Sequence, residues 1–340
     1  MIRLGGEQKT KCLAIFSILF IILVSGCIFP SQPQSGGVVI EAFTTDIQVP
    51  EIYSGEPISF QLKFRNTGSL TAENVFAELF GLDESWCCDM VGIPGEGPWL
   101  NNEKLPNEDE CRYTGQGTSL LPPDPDAGTS GESQICTWSY KAPQIPENLP
   151  SVPYTVAARL FYTYKTTLVK SITFGSHQDL RTIQNIGGTL PASTTRSTRS
   201  PISITMQTKS PVRFWTASGG MGEAKFPIEI DITNVGGGMA CASESGLLKS
   251  CKLLVGGEES KNKIILKITP GTGLELQDEC SDFRNGKPII LWKGESNSIA
   301  CDVKATGLEP KGPVQKMITV EAFYEYATDT EISIRLVGIE

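Results

Sequence analysis

Histidine is almost missing from this chain: His177 is the one histidine in 340 residues. A histidine-based triad and a histidine-rich metal site are therefore both excluded. His177 itself falls in a hydroxyl-rich stretch and reads as an exposed residue of it. No Cys-x-x-Cys occurs, so the common zinc and thiol-redox spacings are absent as well. No serine sits in a Gly-x-Ser-x-Gly elbow, and no glycine-rich phosphate loop runs from a strand into a helix. Lys and Arg do not cluster, and the formal net charge is −9. An acidic surface repels phosphates, so nucleic acid is not an expected partner. No amphipathic helical rhythm stands out beyond the N-terminus. An enzyme, a cofactor and a resident metal are all unexpected on these grounds.

What the chain has instead is turn residues and alternation. The 34 Gly and 22 Pro favour short strands joined by turns. One stretch sets the pattern. Ile58, Phe60, Leu62 and Phe64 alternate with Ser59, Gln61, Lys63 and Arg65, and Asn66-Thr67-Gly68 follows. A period of two places one set on each face, as in a half-buried antiparallel strand. Asn66 and Gly68 tolerate positive φ and predict a turn there.

The same plan occurs twice. Phe226, Ile228, Ile230 and Ile232 repeat the alternation before Asn234-Val235-Gly236. Asp109-Glu110-Cys111 matches Asp278-Glu279-Cys280. Gly131-Glu132-Ser133 leading to Cys136 matches Gly294-Glu295-Ser296 leading to Cys301. Phe161-Tyr162-Thr163-Tyr164 matches Phe323-Tyr324-Glu325-Tyr326, and Ser171-Ile172 matches Ser333-Ile334. Landmarks recurring in one order mark an internal duplication. The expected layout is a signal or anchor segment at 1–27, a tether at 28–37, a first domain at 38–176, a linker at 177–200 and a second domain at 201–340. In each domain a long Tyr-bearing strand is expected to fold back as a hairpin, Leu168–Phe174 completing the first. The linker expectation rests on Ala192–Ser200, rich in Ser and Thr and without apolar rhythm.

Residues 12–29 carry no charge and follow Arg3, Lys9 and Lys11. This is the layout of a secretory signal or a single membrane anchor. Val24-Ser25-Gly26-Cys27 is similar to a lipobox, which marks Cys27 as a lipid attachment site; a plain transmembrane helix is the other reading. Either way residues 38–340 are expected on the extracellular face of the cytoplasmic membrane, with the N-terminal segment as the membrane contact.

From Asp83 to Ser133 the periodicity stops. So long an aperiodic stretch needs pins, and Cys87, Cys88, Cys111 and Cys136 are available. Disulfides are the default for cysteines of an exported chain. Vicinal Cys87 and Cys88 are too close for an easy mutual bond, so the expectation sends them to Cys111 and Cys136 in either order. By the repeat, Cys241 and Cys251 should reach Cys280 and Cys301; a Cys280–Cys301 bond, with Cys241 and Cys251 closing a local loop, remains open. Trp86 and Trp99 lie in the aperiodic stretch and are candidate contacts for a ligand if exposed. Trp138 is expected to be buried. Asp124-Pro125-Asp126, with Glu132, supplies too few oxygens for calcium and reads as a solvated turn.

Phe60–Val75 and Ile228–Ala242 — apolar alternation, Asn-x-Gly, a small residue, a further strand — resemble the CARDB-like immunoglobulin-like domains found in tandem on prokaryotic, especially archaeal, surface proteins. The resemblance implies an all-β fold of two tandem immunoglobulin-like β-sandwich domains. It also implies an adhesive or structural role, with protein or glycan at the cell surface as partner and no catalytic residues. The alternative reading is a carbohydrate- or solute-binding surface lipoprotein that uses Trp86 and Trp99.

Overall fold

Alternation in the sequence becomes strand in the structure, a computed structural model that describes residues 36–47, 51–83, 85–88, 110–112, 119–145, 150–216, 220–242, 251, 260–309 and 311–338. The apolar run with Cys27, Trp99 and the side chains of Cys87, Cys88 and Cys111 lie outside the described residues. The first half holds β1 (Val38–Thr45), β2 (Glu51–Tyr53), β3 (Pro57–Asn66), β4 (Ala72–Phe80), β5 (Cys87–Cys88), β6 (Glu110–Arg112), β7 (Ser119–Leu120), β8 (Ser133–Lys141) and β9 (Ser151–Ser176). A helix, α1 (His177–Asn185), leads into β10 (Thr195–Ser197). The second half holds β11 (Ile202–Gln207), β12 (Val212–Phe214), β13 (Gly222–Asn234), β14 (Met239–Cys241), β15 (Lys263–Pro270), β16 (Leu274–Leu276), β17 (Lys287–Ile290), β18 (Ser296–Leu308) and β19 (Val314–Val337). In β3 the buried set is Ile58, Phe60, Leu62 and Phe64, and in β13 it includes Phe226, Ile228, Ile230 and Ile232. Each is the apolar face that the alternation defines.

The strands form three sheets. Two are four-stranded, in the orders β1-β3-β8-β5 and β11-β13-β18-β16. They are copies of one another and correspond to the A-B-E-D sheet of an immunoglobulin-type sandwich. The third sheet is shared. Its path runs β17-β15-β19-β9-β4-β6, with β2 and β14 added along β19, and β10 and β12 along β9. Two all-β sandwiches result, and the shared sheet is a layer of both.

The sharing is reciprocal. β9 and β19 pair antiparallel along their whole lengths, from Val314 opposite Phe174 to Val337 opposite Ser151. The first part of β9 pairs with β4 of its own half. Its last part runs into the second half, where β12 joins it in parallel at Phe174–Ser176 and Phe174 meets Phe226 of β13 ring to ring at 5.4 Å. β19 does the reverse. Its first part pairs with β15, and its last part enters the first half, where β2 joins it in parallel at Arg335–Val337 and the Ser54 amide donates to the Val337 carbonyl at 3.0 Å. Each sandwich thus takes its last strand from the other repeat.

Two expectations are corrected here. The hairpin at Leu168–Phe174 does not form, because Lys165-Thr166-Thr167 lacks turn chemistry and continues as strand. Thr166 is fully buried, its hydroxyl bonded to Ser200 Oγ, the Ile202 carbonyl and Tyr324 Oη at 2.8–2.9 Å. Nor is 177–200 a free linker between independent bodies at 38–176 and 201–340. Residues 35–340 form one compact unit, with α1 and β10 built into it. The helix starts where Ser176 caps it: Ser176 Oγ accepts from the Asp179 amide at 3.0 Å and lies 2.6 Å from Asp179 Oδ2, a variant of the capping box. β10 pairs with β9, Arg196 opposite Val169.

In the second half the cysteines take the local pairing that the sequence left open, not the one the repeat favoured. Cys241 bonds Cys251 and Cys280 bonds Cys301, so Cys241 and Cys251 do not reach Cys280 and Cys301. The reason lies in the sheets. Cys241 sits on the shared sheet opposite Glu325, whereas Cys301 sits on β18 opposite Ile228 in the other layer. Each bond contributes about 3 kcal/mol by limiting the unfolded chain. Cys136 is also disulfide-bonded; its pairing with Cys87, Cys88 or Cys111 lies outside the described side chains. The ladder shifts one match in the repeat. Phe60 faces Trp138 and its counterpart Ile228 faces Cys301, so Cys301 occupies the place of Trp138, not of Cys136. No helix among the described residues is long and apolar enough to cross a membrane.

Candidate binding cleft at the pseudo-two-fold axis

The β9–β19 ladder carries Tyr162 opposite Tyr326 and Tyr164 opposite Tyr324. Setting Tyr162 on Tyr324 and Tyr164 on Tyr326 exchanges the strands and returns the same two pairs. A pseudo-two-fold axis therefore passes through the ladder at Thr163 and Glu325. All four tyrosines are buried, with neighbouring ring centres 5.7–6.2 Å apart. The alternation expected of them is a packing stripe, and they form one where the two sandwiches meet.

Each outer tyrosine anchors an Asn-x-Gly turn. Tyr164 Oη donates to the Leu70 carbonyl and accepts from the Leu70 amide, at 2.9 and 3.0 Å. Asn66 Nδ2 donates to the carbonyls of Leu70 and Leu120, and its Oδ1 accepts from the Gly68 amide. In the second half Tyr326 Oη donates to Asn234 Oδ1 at 2.6 Å and accepts from the Gly238 amide at 2.8 Å. Asn234 Nδ2 donates to the carbonyls of Gly238 and Gly294. The glycine at the third position was expected to supply positive φ, yet neither Gly68 nor Gly236 has it. A Cβ at Gly236 would lie 2.5 Å from Tyr326 Oη, so glycine is needed there for close approach.

A cleft of about 310 Å³ opens beside this centre, between Val38–Ile40 of β1 and Thr328–Thr330 of β19, with Tyr162 and Tyr326 at its base. Its polar groups are hydroxyls and one carboxylate. Asp329 holds Arg159 by two bonds, Nε to Oδ1 at 2.6 Å and Nη2 to Oδ2 at 2.7 Å. The Asp329 contact keeps the Arg159 guanidinium firmly charged. Burial, then proximity to Tyr324 and Tyr326, pushes the Tyr162 phenol far above its usual range. Tyr326 Oη is already bonded to Asn234 and Gly238 and Tyr162 is buried, so near neutral pH the cleft offers the Thr328 and Thr330 hydroxyls beside a satisfied ion pair. Such a set binds by hydrogen bonds and shape.

The symmetry mate of this cleft is filled. There the chain itself, at Thr198–Ile202, covers β9, and Ser200 bonds the buried Thr166. No sequence motif marks Thr328, Asp329 and Thr330. Only their position opposite the Thr166 region in the repeat sets them apart.

Of the two expected ligand residues, only Trp86 is described, and it does not line the cleft. Trp86 is 5% exposed and meets the Tyr154 ring edge-on at 5.2 Å, so it is a core residue and not a contact platform. Trp99 is outside the described residues. Trp138 is buried, whereas Trp215 and Trp292 are 71% and 74% exposed. His177 is the first residue of α1, and its ring meets Trp215 edge-on at 5.0 Å. Asp124 Oδ1 accepts from the Asp126 and Ala127 amides, and Glu132 Oε2 accepts from the Leu121 amide, so these carboxylates stabilise local turns.

Burial also makes stability depend on alkaline pH. It raises the phenols of Tyr164 and Tyr326 to about 12, and Tyr324 is raised too. An unfolded tyrosine ionises near 10. A raised acid is stabilising while both states are protonated, and that stabilisation is lost as pH climbs from about 10 to about 12, roughly 2–3 kcal/mol for each of the two outer tyrosines. Stability should be flat below pH ~10 and fall steeply above it. The Tyr164→Phe, Tyr326→Phe variant should show a shallower fall. Phenolate absorbance rising in the folded chain with the midpoint of free tyrosine would contradict this.

No family model matches the chain, and no curated protein matches it. Among solved structures it is similar to a point mutant of Salmonella alpha-2-macroglobulin, at 10% identity and a TM-score of 0.19, covering 89% of this chain and 23% of that one. It is also similar to Escherichia coli alpha-2-macroglobulin activated by porcine elastase, at 9% identity and a TM-score of 0.18, covering 88% of this chain and 32% of that one. The CupB6 tip adhesin from Pseudomonas aeruginosa gives 8% identity and a TM-score of 0.12 over 89% of this chain and 96% of the adhesin. The chain thus spans a third or less of the macroglobulins, and at these scores the likeness defines no shared function. The class comes from the fold itself: an all-β protein of two sandwiches joined by exchanged strands, with disulfides of the kind that form in an oxidising compartment.

Proposed function

We propose that this is a membrane-anchored extracellular protein that works by contact, holding a paired CARDB-like sandwich away from the membrane for binding to protein or glycan. The observation that carries the reading is the β9–β19 ladder, which joins the two sandwiches through 24 paired residues of β19. A joint of that length transmits position and load without the play of a free linker, which suits a scaffold or adhesin. The exposed Trp215 and Trp292 supply aromatic area of the kind that contact surfaces use. The groups at the cleft suit binding more than catalysis. The solute-binding alternative draws no support from Trp86, which is buried; Trp99, its other residue, lies outside the described residues.

Anchoring is assigned to the apolar run ending at Cys27, through a lipid on Cys27 or through a single transmembrane helix. Cys27→Ser should release the chain from membranes or leave an unprocessed precursor if the lipid is the anchor. Intact mass of the membrane-bound wild type separates the two: Met1 retained with no lipid assigns a helix. A wild-type chain found in the cytoplasm, with free thiols at Cys280 and Cys301, would sink the proposal.

A further inference from the structure

Among the described residues, a length of β19 between β14 and β2 has no neighbouring strand on one side. On the side away from β9, β14 pairs with Glu325–Ala327 and β2 pairs with Arg335–Val337. Between them no strand among the described residues pairs with Thr328–Ile334, about 23 Å of strand. The pseudo-two-fold shows which backbone groups this leaves open. On β9 the matching length is covered by Thr194–Thr198. The Ser171 amide donates to the Thr194 carbonyl, the Thr198 amide to the Thr167 carbonyl, and Arg196 stands opposite Val169. Thr167, Val169 and Ser171 correspond to Asp329, Glu331 and Ser333. The outward amides and carbonyls of those three residues have no hydrogen-bond partner among the described residues. The slot is walled by Val38–Ile40, the counterpart of Ile202–Ile204, and it is continuous with the 310 Å³ cleft.

The geometry points to β-strand addition at this slot: an extended peptide segment of another protein completes the β19 edge between β14 and β2, as β10 completes the β9 edge. Its chemistry follows from the occupied mate. Thr194-Thr195-Arg196-Ser197-Thr198 is hydroxyl-rich, has no apolar side chain and carries one base. In the open slot the position facing that base is Glu331, with Asp329 two residues away, both exposed. The partner is therefore a Ser/Thr-rich segment with Arg or Lys opposite Glu331. Main-chain bonds would supply affinity and the charge pair would set register. Open ladders are normally blocked by charge, and an acidic block admits a basic strand while rejecting an acidic one. This proposal rests on the contact-surface reading above and names its partner class. Testing it on purified chain keeps it separate from anchoring.

The experiment uses the full chain and a labelled peptide of sequence Ser-Thr-Thr-Arg-Ser-Thr, read by fluorescence anisotropy and amide hydrogen exchange. Saturating peptide should slow exchange at Asp329, Glu331 and Ser333 and leave the β17 edge unchanged. Glu331→Lys should weaken binding about fivefold, and a peptide with Glu in place of Arg should then prefer that variant over wild type by a similar factor. Glu331 is solvent-exposed, so the charge reversal leaves the fold intact, and the swapped pair controls for it. Slow exchange at the three amides before peptide is added would mean that the slot is already covered, and would overturn the proposal. So would protection confined to another edge, no protection at saturation, or self-association of the chain through Thr328–Ile334, which would give the slot to a second copy.

Discussion

A chain ended after Ala327 is expected to lose its first sandwich while keeping the second. The truncation removes nothing from the second half, which draws its last strand from β9. From the first half it removes the strand opposite Ser151–Leu160, the partner of β2 and the core residues Ile334 and Leu336. Each of those two side chains stabilises by about 1.5–3 kcal/mol on burial. Together with a lost ladder, that approaches the 5–15 kcal/mol typical of a whole domain. Tryptophan fluorescence reads the two halves separately. Trp86 and Trp138 are buried in the first half, while Trp215 and Trp292 are already exposed in the second. Truncation should therefore shift the emission to the red and leave one smaller melting transition. A synthetic peptide of residues 325–338, added in excess, should restore the buried emission. A truncated chain with the emission and melting temperature of the full one would mean that the last strand is dispensable. Separate expression of residues 36–186 should fail for the same reason, and the same peptide should rescue it.

Much of this was legible in the residues. The alternation at Ile58–Phe64 and Phe226–Ile232 marks strands with one buried face, and the structure buries those residues. The duplication was legible too, and it survives down to single bonds: the Asn66 amide donates to the Glu132 carbonyl as the Asn234 amide does to that of Glu295. The strand exchange was hidden for a physical reason. Tyr162, Tyr164, Thr166 and Leu168 are all buried and keep a period of two straight across the boundary between the sandwiches. A strand that turns back and one that crosses over satisfy the same alternation. Only the lack of Gly, Pro, Asn or Asp at Lys165-Thr166-Thr167 told against a turn. α1 was missed although Ser176-x-x-Asp179 is a start signal, because only Leu180 of its residues is buried and no apolar stripe announces it. The cleft had no local signal at all. Thr328, Asp329 and Thr330 become a site because, among the described residues, one half of a pseudo-symmetric pair is covered and the other is not.

Gly68→Ala should destabilise the fold by about 3 kcal/mol, lowering the melting point by about 5 °C. The expected cause is crowding. The turn after β3 carries Gly68 against the buried Tyr164, and a Cβ would lie 2.8 Å from Tyr164 Cζ, closer still to Oη, and 2.7 Å from the Gly37 amide nitrogen. Neither neighbour can retreat. Tyr164 is fixed by two bonds to Leu70, and the Gly37 carbonyl accepts from the Thr67 amide at 2.8 Å. Gly128 is the contrasting case: its φ is +65° and nothing lies within 4 Å of a Cβ placed there. Gly128→Ala should cost about 1 kcal/mol through the backbone alone, and Gly128→Asn less, because asparagine tolerates the left-handed region. Asparagine at Gly68 should bring no such relief. Gly68→Ala with Tyr164→Phe should lose less than the sum of the two single changes, because removing Oη removes the closest clash. The partner substitution Gly236→Ala, set against Tyr326, should behave alike in the second half. Thermal melts of these variants decide between crowding and backbone conformation. Wild-type stability for Gly68→Asn would remove crowding as the cause, since asparagine carries the same Cβ, and strict additivity with Tyr164→Phe would remove the tyrosine from the explanation.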